Sequence, residues 1–128
     1  MTYEERKKQV KSFLGKTVTI KIDRPIGYVH QKPNYSLKYP INYGYIPNVI
    51  GGDGEELDVY LLGVSEPVQE YTAGIIGIVH RNNDIEDKLV AAPEGVTFGK
   101  AEIAKAVHFQ EKYYDSEIEA LYESPASE

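Results

Sequence analysis

The chain has 128 residues, of which 41% are apolar and 27% charged, and its formal net charge is −6 at pH 7. This size and balance predict one folded domain over residues 1–128 and exclude an intrinsically disordered chain. The negative charge disfavours nucleic acid and anionic membrane surfaces as partners, because both require a basic face. The absence of cysteine excludes a disulfide, a thiolate nucleophile and a zinc–thiolate site.

No segment has the features of a signal peptide or of a membrane span. The first ten residues, MTYEERKKQV, contain no apolar stretch, and no apolar run elsewhere approaches the roughly 20 residues that a span requires. We therefore expect a cytoplasmic protein, in agreement with the lack of cysteine.

The first half of the chain predicts a helix, a strand and a long connection. Thr2 and Glu5 form a capping-box pattern ahead of a helix over residues 3–14. The following sequence KTVTIKID alternates polar and apolar residues, which is typical of a half-buried strand. Residues 23–27, DRPIG, predict a turn, and three prolines between residues 28 and 56 predict an ordered connection without long elements.

The second half predicts three strands and then helices. LDVYLLGV, EYTAGIIGIVH and KLVAA are apolar, β-branched or aromatic runs separated by turn residues. Helical spacing over residues 100–114 predicts a packing helix, and Ser116 is a candidate cap for a short final helix over 117–122. The tail SPASE is predicted to be frayed. Several short strands followed by a packing helix favour a small barrel or a strongly curved sheet.

The segment GGDGEELD concentrates four carboxylates in six residues: Asp53, Glu55, Glu56 and Asp58. Glycines let the loop curl, so that the carboxylate of Asp53 can approach that of Asp58 at the start of the next strand. Clustered carboxylates repel one another unless water or a cation neutralises them, and oxygen ligands suit Mg²⁺ or Mn²⁺. A polar turn without a ligand is the alternative interpretation.

Four motifs in order resemble those of the soluble, Mg²⁺-dependent inorganic pyrophosphatases of family I. YPINYGYIP and DGEELDVYLLG are similar to the family's Tyr-Pro-x-Asn-Tyr-Gly-Tyr and Asp-Gly-Asp-x-x-Asp motifs. EDKLVAAP resembles its Asp-x-Lys-Leu-Val-Ala-x-Pro strand, and HFQEKYY its His-Phe-Phe-x-x-Tyr-Lys helix. The resemblance, over about residues 18–114, implies an α+β fold: a five-stranded OB-like β-barrel with an N-terminal helix and C-terminal helices packed against it.

The resemblance implies three ligands for Mg²⁺, with Mn²⁺ as the alternative: Asp53, Asp58 and Glu86. Glu55 takes the place of the carboxylate that accepts a proton from the attacking water. Glu55 and Glu86 both stand where the family has aspartate. A shorter loop leaves Asp84 and Asp87 as alternatives to Glu86.

The resemblance also implies three contacts to phosphate: Tyr43, Lys88 and Tyr113. Lys88 is thereby grouped with Asp53 and Glu55 as catalytic. Lys21 stands at an expected glutamate and Tyr114 at an expected lysine, and the family's lysine and arginine ahead of LKYP have no counterpart. Other cations lie in loops or at strand ends: Arg24, His30, Lys32, His80 and Arg81. The arginines are the better substrate-binding candidates, because they are permanently charged and bidentate.

The predicted activity is Mg²⁺-dependent hydrolysis of inorganic pyrophosphate to two phosphates by metal-activated water. The alternatives are hydrolysis of an organic diphosphate, or a domain without catalysis that binds metal, phosphate or a nucleotide. Tyr39, Tyr43 and Tyr45 alternate along the chain and would also suit base stacking. The expected partner is a small phosphate-containing substrate, without nucleic acid or membrane. The tyrosine-rich surface would also permit a homo-oligomer, and the family resemblance implies that one can form.

Overall fold

The computed structural model describes residues 1–122. In that range it contains the helices α1 (Tyr3–Phe13) and α2 (Lys100–Glu111), together with eight strands: β1 (Thr17–Arg24), β2 (Val29–Gln31), β3 (Ser36–Lys38), β4 (Asn42–Ile50), β5 (Glu56–Leu61), β6 (Glu70–Arg81), β7 (Lys88–Ala92) and β8 (Ser116–Ala120). Across residues 1–122, neither helix combines the length and the apolarity that crossing a membrane would demand.

Five strands close into a barrel in the order β1-β4-β5-β7-β6, because β6 also pairs with β1. The β5–β7 pair is parallel and the others are antiparallel. The first part of β6 pairs with β1 and its last part, residues 77–81, pairs with β8. This architecture confirms the predicted α+β fold with a five-stranded OB-like barrel.

The two faces of β5 supply two separate apolar clusters. Leu57 and Val59 lie in one cluster, which α1 completes with Val10. Tyr60, on the opposite face, lies in the second cluster beneath α2, beside Ile103. Strand residues two apart share a face, so Asp58 is on the same side of the sheet as Tyr60. The sheet face toward α2 therefore also carries the carboxylate of Asp58.

The capping box at the start of α1 is present. The Glu5 backbone N–H donates to the Thr2 hydroxyl at 3.1 Å, and the Thr2 backbone N–H donates to Glu5 Oε1 at 2.8 Å. The helix ends at Phe13, and Gly15 follows with φ at +84°. The predicted helix over 3–14 is confirmed to within one residue.

The connection predicted over residues 28–56 is more regular than expected. It contains the β2–β3 hairpin and the nine-residue strand β4. Strand β4 continues through Pro47, although a proline there was expected to break it. The pairing of β4 with β5 shifts register between Tyr45 and Ile50, so the proline lies in an irregular part of the ladder. Proline is tolerated in a sheet where the ladder is already irregular.

The predicted final helix over 117–122 is wrong, because residues Ser116–Ala120 form β8. Within residues 1–122 the chain accordingly has one C-terminal helix, α2, which ends at Glu111 rather than near residue 114. In β8 the residues Ile118 and Ala120 pack against the cluster under α2, while Glu117 and Glu119 lie on the other face. This period of two was the signal for a strand. The tail SPASE lies outside the described residues.

Candidate active site

The acidic pocket is a cavity of about 410 Å³ beside the start of β5. Six carboxylates from the end of β1, the glycine-rich loop, β5 and the loop before β7 line it: Asp23, Asp53, Glu55, Glu56, Asp58 and Glu86. Like charges at this density repel one another unless water or a cation neutralises them. The cavity is therefore suited to a positively charged ligand.

The cationic pocket adjoins it and has a volume of about 160 Å³. The basic side chains that line it are Arg24, His30, Lys32, Arg81 and Lys88. The wall shared by the two pockets consists of four residues: Arg24, Tyr43, Asp58 and Glu86. An anion in the cationic pocket would thus lie next to a cation in the acidic pocket.

A bulge in β1 brings Asp23 and Arg24 to the same cavity. Neighbouring residues of a regular strand point to opposite faces. The pairing of β1 with β4 shifts between Ile22 and Arg24, so β1 carries one extra residue there and bends. Both Asp23 and Arg24 consequently line the acidic pocket.

The glycine-rich loop brings Asp53 to Glu86. Asp53 Oδ1 accepts a hydrogen bond from the backbone N–H of Glu55 at 3.0 Å, which closes the loop on itself. A Cβ atom on Gly52 would lie 2.2 Å from the carbonyl oxygen of Ile85, so only glycine permits this approach to the loop before β7. Both side chains line the acidic pocket, and burial raises the pKa of Glu86, with a further contribution from Asp53.

Asp58 is held by two donors. Lys88 Nζ lies 2.9 Å from Asp58 Oδ2, and the Tyr43 hydroxyl donates to the same oxygen at 2.7 Å. Both donors are almost fully buried. Burial, and next the charge of Asp58, raise the pKa of Tyr43 well above its ordinary value, so the hydroxyl keeps its proton as a neutral donor.

Glu86 joins the two pockets. Its Oε1 lies 3.2 Å from Lys88 Nζ and 3.3 Å from Arg81 Nη1. Burial raises the pKa of Glu86; the charge of Lys88 opposes this shift, and the contact with Asp53 adds to it. Partial burial of one carboxyl group against another is energetically unfavourable, and a nearby cation would relieve it.

The other two acids of this loop have different partners. Asp87 is buried, where it accepts from Lys7 Nζ at 2.9 Å and from the backbone N–H of Arg81 at 3.0 Å. Asp84 Oδ2 pairs with Arg81 Nη1 at 3.0 Å. Neither acid lines the acidic pocket, so Glu86 is the acid of this loop that faces it.

Arg81 forms part of the wall of the cationic pocket, and its side chain is only 1% exposed. Glu111 of α2 accepts from its Nε at 3.1 Å and from its Nη2 at 2.7 Å, while Nη1 faces Asp84 and Glu86. The Tyr114 ring stacks on it, with Cζ 3.6 Å from the ring centre. Burial acts to lower the pKa of Arg81, but the bonds to Glu111 outweigh it, so the pKa is raised. The nitrogens of Arg81 already have protein partners.

The structure separates one predicted site residue, Tyr113, from the rest. Tyr113 is 46% exposed, stacks on Tyr35 with ring centres 4.8 Å apart, and lines neither pocket. Its neighbour Tyr114 lines the cationic pocket instead. The other predicted site residues each line at least one of the two pockets: Arg24, Tyr43, Asp53, Glu55, Asp58, Arg81, Glu86 and Lys88.

Sequence reasoning missed Asp23 and Gln110. Lys21, which stands at an expected glutamate, pairs with Glu70 instead, and Asp23 is the acid that β1 contributes to the pocket. The bulge that directs it there has no clear sequence signal. Gln110 lines the cationic pocket from α2. Its signal was a polar residue within an otherwise apolar helical stripe.

The carboxylates of the acidic pocket are suitable ligands for Mg²⁺, although they are not arranged around a common centre. Within residues 1–122, no three His, Cys, Asp or Glu side chains are arranged as a group that could hold a metal ion. Mg²⁺ keeps several waters, however, and needs only one or two carboxylates besides substrate phosphates. Asp53, Asp58 and Glu86 line the same cavity and meet that requirement.

Solved structures share this fold. The inorganic pyrophosphatase of Ehrlichia chaffeensis is 19% identical and superposes with a TM-score of 0.64 over 84% of this chain and 88% of that chain. The inorganic pyrophosphatase of Helicobacter pylori is 20% identical, with a TM-score of 0.58 over 81% of this chain and 82% of that chain. The barrel and its helices thus have the fold of these inorganic pyrophosphatases.

The family model described as inorganic pyrophosphatase matches residues 6–123, and the chain belongs to that family. A curated inorganic pyrophosphatase of Saccharolobus solfataricus is 35% identical over 98 residues, covering 64% of this chain and 57% of the relative. One of Helicobacter pylori is 27% identical over 95 residues, covering 62% of this chain and 55% of the relative. The chain therefore spans little more than half the length of these relatives.

Proposed function

We propose that this chain, acting as a single domain, hydrolyses inorganic pyrophosphate to two phosphates, with Mg²⁺ as the cation and Mn²⁺ as the alternative. The proposal rests on the wall shared by the acidic and cationic pockets, where Tyr43 and Lys88 both contact Asp58. Hydrolysis of a diphosphate needs cations around the phosphates and carboxylates around the metal, side by side. Family membership supports the same reaction.

In the acidic pocket, Asp53, Asp58 and Glu86 would hold Mg²⁺. When bound, it would neutralise charge on the phosphates and make water easier to deprotonate. Glu55 is exposed at the mouth of this pocket and would accept the proton of the attacking water. The new bond joins the water oxygen to one phosphorus, and the bond from that phosphorus to the bridging oxygen breaks.

In the cationic pocket, Lys88 and Arg24 would bind phosphate oxygens, and the Tyr43 hydroxyl would donate a hydrogen bond to one of them. Lys88 is the best placed, because its ammonium has three donors and already lies between the carboxylates of Asp58 and Glu86. Arg81 would contribute its positive charge through the pocket wall. His30 and Lys32 add basic groups from the β2–β3 hairpin.

The decisive experiment is phosphate release from inorganic pyrophosphate with and without Mg²⁺, run beside Asp53→Asn. Asparagine keeps the size of the side chain and removes its charge. Release that requires Mg²⁺ and is lost in the variant would support the proposal. A folded wild type that binds Mg²⁺ and releases no phosphate would refute it.

A second candidate is hydrolysis of an organic diphosphate. The observation that favours it is the set of exposed aromatic rings near the cationic pocket, where Tyr114 lines the wall and Tyr28 lies 5.8 Å from Arg24. Rings of this kind can stack on a planar organic group. A panel of nucleoside diphosphates assayed beside pyrophosphate distinguishes the two candidates by their kcat/KM.

We further propose that the chain self-associates in the cytoplasm and binds neither nucleic acid nor membrane. Large apolar side chains stand exposed on several elements, Val29, Ile50 and Ile85 among them, and the net charge is negative. Light scattering coupled to size exclusion measures the subunit number. Salt-dependent retention on single-stranded DNA would contradict the part concerning nucleic acid.

A further inference from the structure

A chain of hydrogen bonds runs behind the cationic pocket and ends on Arg24. Arg24 Nη1 donates to the Tyr39 hydroxyl at 2.5 Å, and Tyr39 donates to Gln110 Oε1 at 2.5 Å. Gln110 Nε2 donates to the Tyr60 hydroxyl at 2.7 Å, and Tyr60 donates to Glu111 Oε2 at 2.6 Å. Tyr39 and Tyr60 are fully buried, and Gln110 and Glu111 nearly so. Four links thus join the end of α2 to a cation of the pocket.

The direction of every link is fixed by chemistry. The carboxylate of Glu111 can only accept, so the single proton of Tyr60 points to it. The Tyr60 oxygen then accepts, which requires the amide N–H of Gln110 on that side and its amide oxygen toward Tyr39. The proton of Tyr39 goes to that oxygen, and the remaining acceptor capacity of Tyr39 faces Arg24.

Tyr39 and Tyr60 must both be protonated to donate these hydrogen bonds. Burial raises the pKa of Tyr39, against the effect of Arg24. A tyrosine hydroxyl is ordinarily protonated at pH 7, so both hydroxyls are neutral donors. An amide at position 110 can donate to one hydroxyl and accept from the other, whereas a carboxylate or an apolar side chain cannot do both.

We infer that Gln110 is a positioning residue that acts through Tyr39 to hold the guanidinium of Arg24 at the wall shared by the two pockets, in place to bind a diphosphate. Arg24 is the basic residue that lines both pockets. Its long side chain would otherwise lose rotamer entropy on each binding event. Fixing it beforehand lowers that cost. The choice of diphosphate as the anion rests on the proposed function.

The test measures binding of imidodiphosphate, a diphosphate that resists hydrolysis, by titration calorimetry in the presence of Mg²⁺. Gln110→Met keeps the length of the side chain and removes both hydrogen bonds, and Tyr39→Phe removes only the oxygen between Gln110 and Arg24. We expect about tenfold weaker binding in each, since Tyr39→Phe removes the charge-assisted hydrogen bond that orients Arg24, and Gln110→Met removes the acceptor that orients the Tyr39 hydroxyl. The control is Gln9→Met, which removes the hydrogen bond that the Gln9 side-chain amide donates to the Ile50 carbonyl; neither residue lines either pocket.

A second arm repeats Gln110→Met in an Arg24→Met background. If Gln110 acts through Arg24, it has no further effect there, whereas a purely structural role would reduce affinity equally in both backgrounds. That equal loss, or unchanged binding in both single variants, would overturn the inference. A wild type that binds imidodiphosphate and releases no phosphate from pyrophosphate would refute the proposed function, while the differences between variants would still decide the role of Gln110.

Discussion

Lys88 Nζ lies 2.9 Å from Asp58 Oδ2, where the ammonium of a phosphate-binding candidate meets the carboxylate of a metal-binding candidate. The ammonium also lies 3.2 Å from Glu86 Oε1. With no ligand bound, Lys88 therefore stands between two carboxylates. Binding of a divalent cation would release those carboxylates from Lys88 and leave its donors for a phosphate.

This relationship predicts the effect of Lys88→Met. The KM for pyrophosphate should rise about tenfold or more, because a buried charge-assisted contact to phosphate is lost. Affinity for Mg²⁺ should stay the same or increase, because the competing ammonium is gone. Steady-state kinetics and Mg²⁺ titration measure the two effects, with exposed Lys100→Met as the control. An unchanged KM would remove Lys88 from the substrate site.

Asp58→Asn should abolish most Mg²⁺-dependent activity. The amide keeps the shape of the carboxylate and can still accept from Tyr43, so the fold should be retained, but the charge that attracts a cation is lost. We expect phosphate release to fall at least about 100-fold. Asp115→Asn, an exposed aspartate that lines neither pocket, is the matched control. Full activity in Asp58→Asn would show that Asp58 is not a metal ligand.

Glu86→Gln should change how stability depends on pH. The pKa of Glu86 is raised in the folded protein above its ordinary value of 4.5, mainly by burial. A raised folded pKa stabilises the protein below the unfolded pKa and loses that contribution as pH rises through the folded value. In EDTA, the wild type should therefore lose free energy of unfolding relative to the variant as pH rises above 4.5.

Urea unfolding at several pH values measures this difference. Glu94→Gln, at an exposed position after β7, controls for loss of a carboxylate in water. A difference between Glu86→Gln and wild type that stays constant from pH 4.5 to 8 would contradict the raised pKa. Added Mg²⁺ should stabilise the wild type and have little effect on Glu86→Gln.

Arg81→Met should reduce stability more than substrate affinity. Its removal leaves Glu111 buried without a cation, which costs about 3–5 kcal/mol of unfolding free energy. Arg81→Lys should lose less unfolding free energy than Arg81→Met, because the positive charge remains. It should still be less stable than the wild type, because lysine cannot make the bidentate contact with Glu111. Urea unfolding measures both variants beside Lys100→Met. Wild-type stability in Arg81→Met, with a large rise in KM, would instead make Arg81 a free substrate-binding residue.

Strands β1, β5, β6 and β7 and the glycine-rich loop could be predicted because their signals are local. Residues 51–58 carry glycines and carboxylates within one short stretch. As predicted, Asp53 lies in the loop, where its carboxylate accepts a hydrogen bond from the Glu55 backbone N–H. Asp23 could not be predicted, since its direction depends on a register shift against β4 rather than on its neighbours in sequence. The partners of Arg81 depend likewise on contacts with Glu111, 30 residues away.

For residues 116–120, in contrast, the sequence contains two local signals that predict different elements. Their alternation of glutamate with apolar residues was visible, but a nearby serine also offered a helix cap, and five residues are too few to decide between the two patterns. Pairing with the end of β6 decides it in the structure. Tyr113 and Tyr114 are equally ambiguous in sequence, because the turn after α2 sets which ring meets the pocket.

Strand β8 has a single neighbour in the six-stranded sheet, and its other side is an unpaired edge within the described residues. An unpaired edge is a template on which another chain can add a strand and begin to aggregate. Glu117 and Glu119 place two carboxylates on this short strand, and Glu119 is already bonded to His80 and Lys11. Two strands carrying the same charges would repel each other, so β8 helps to keep the folded chain from growing into a longer sheet.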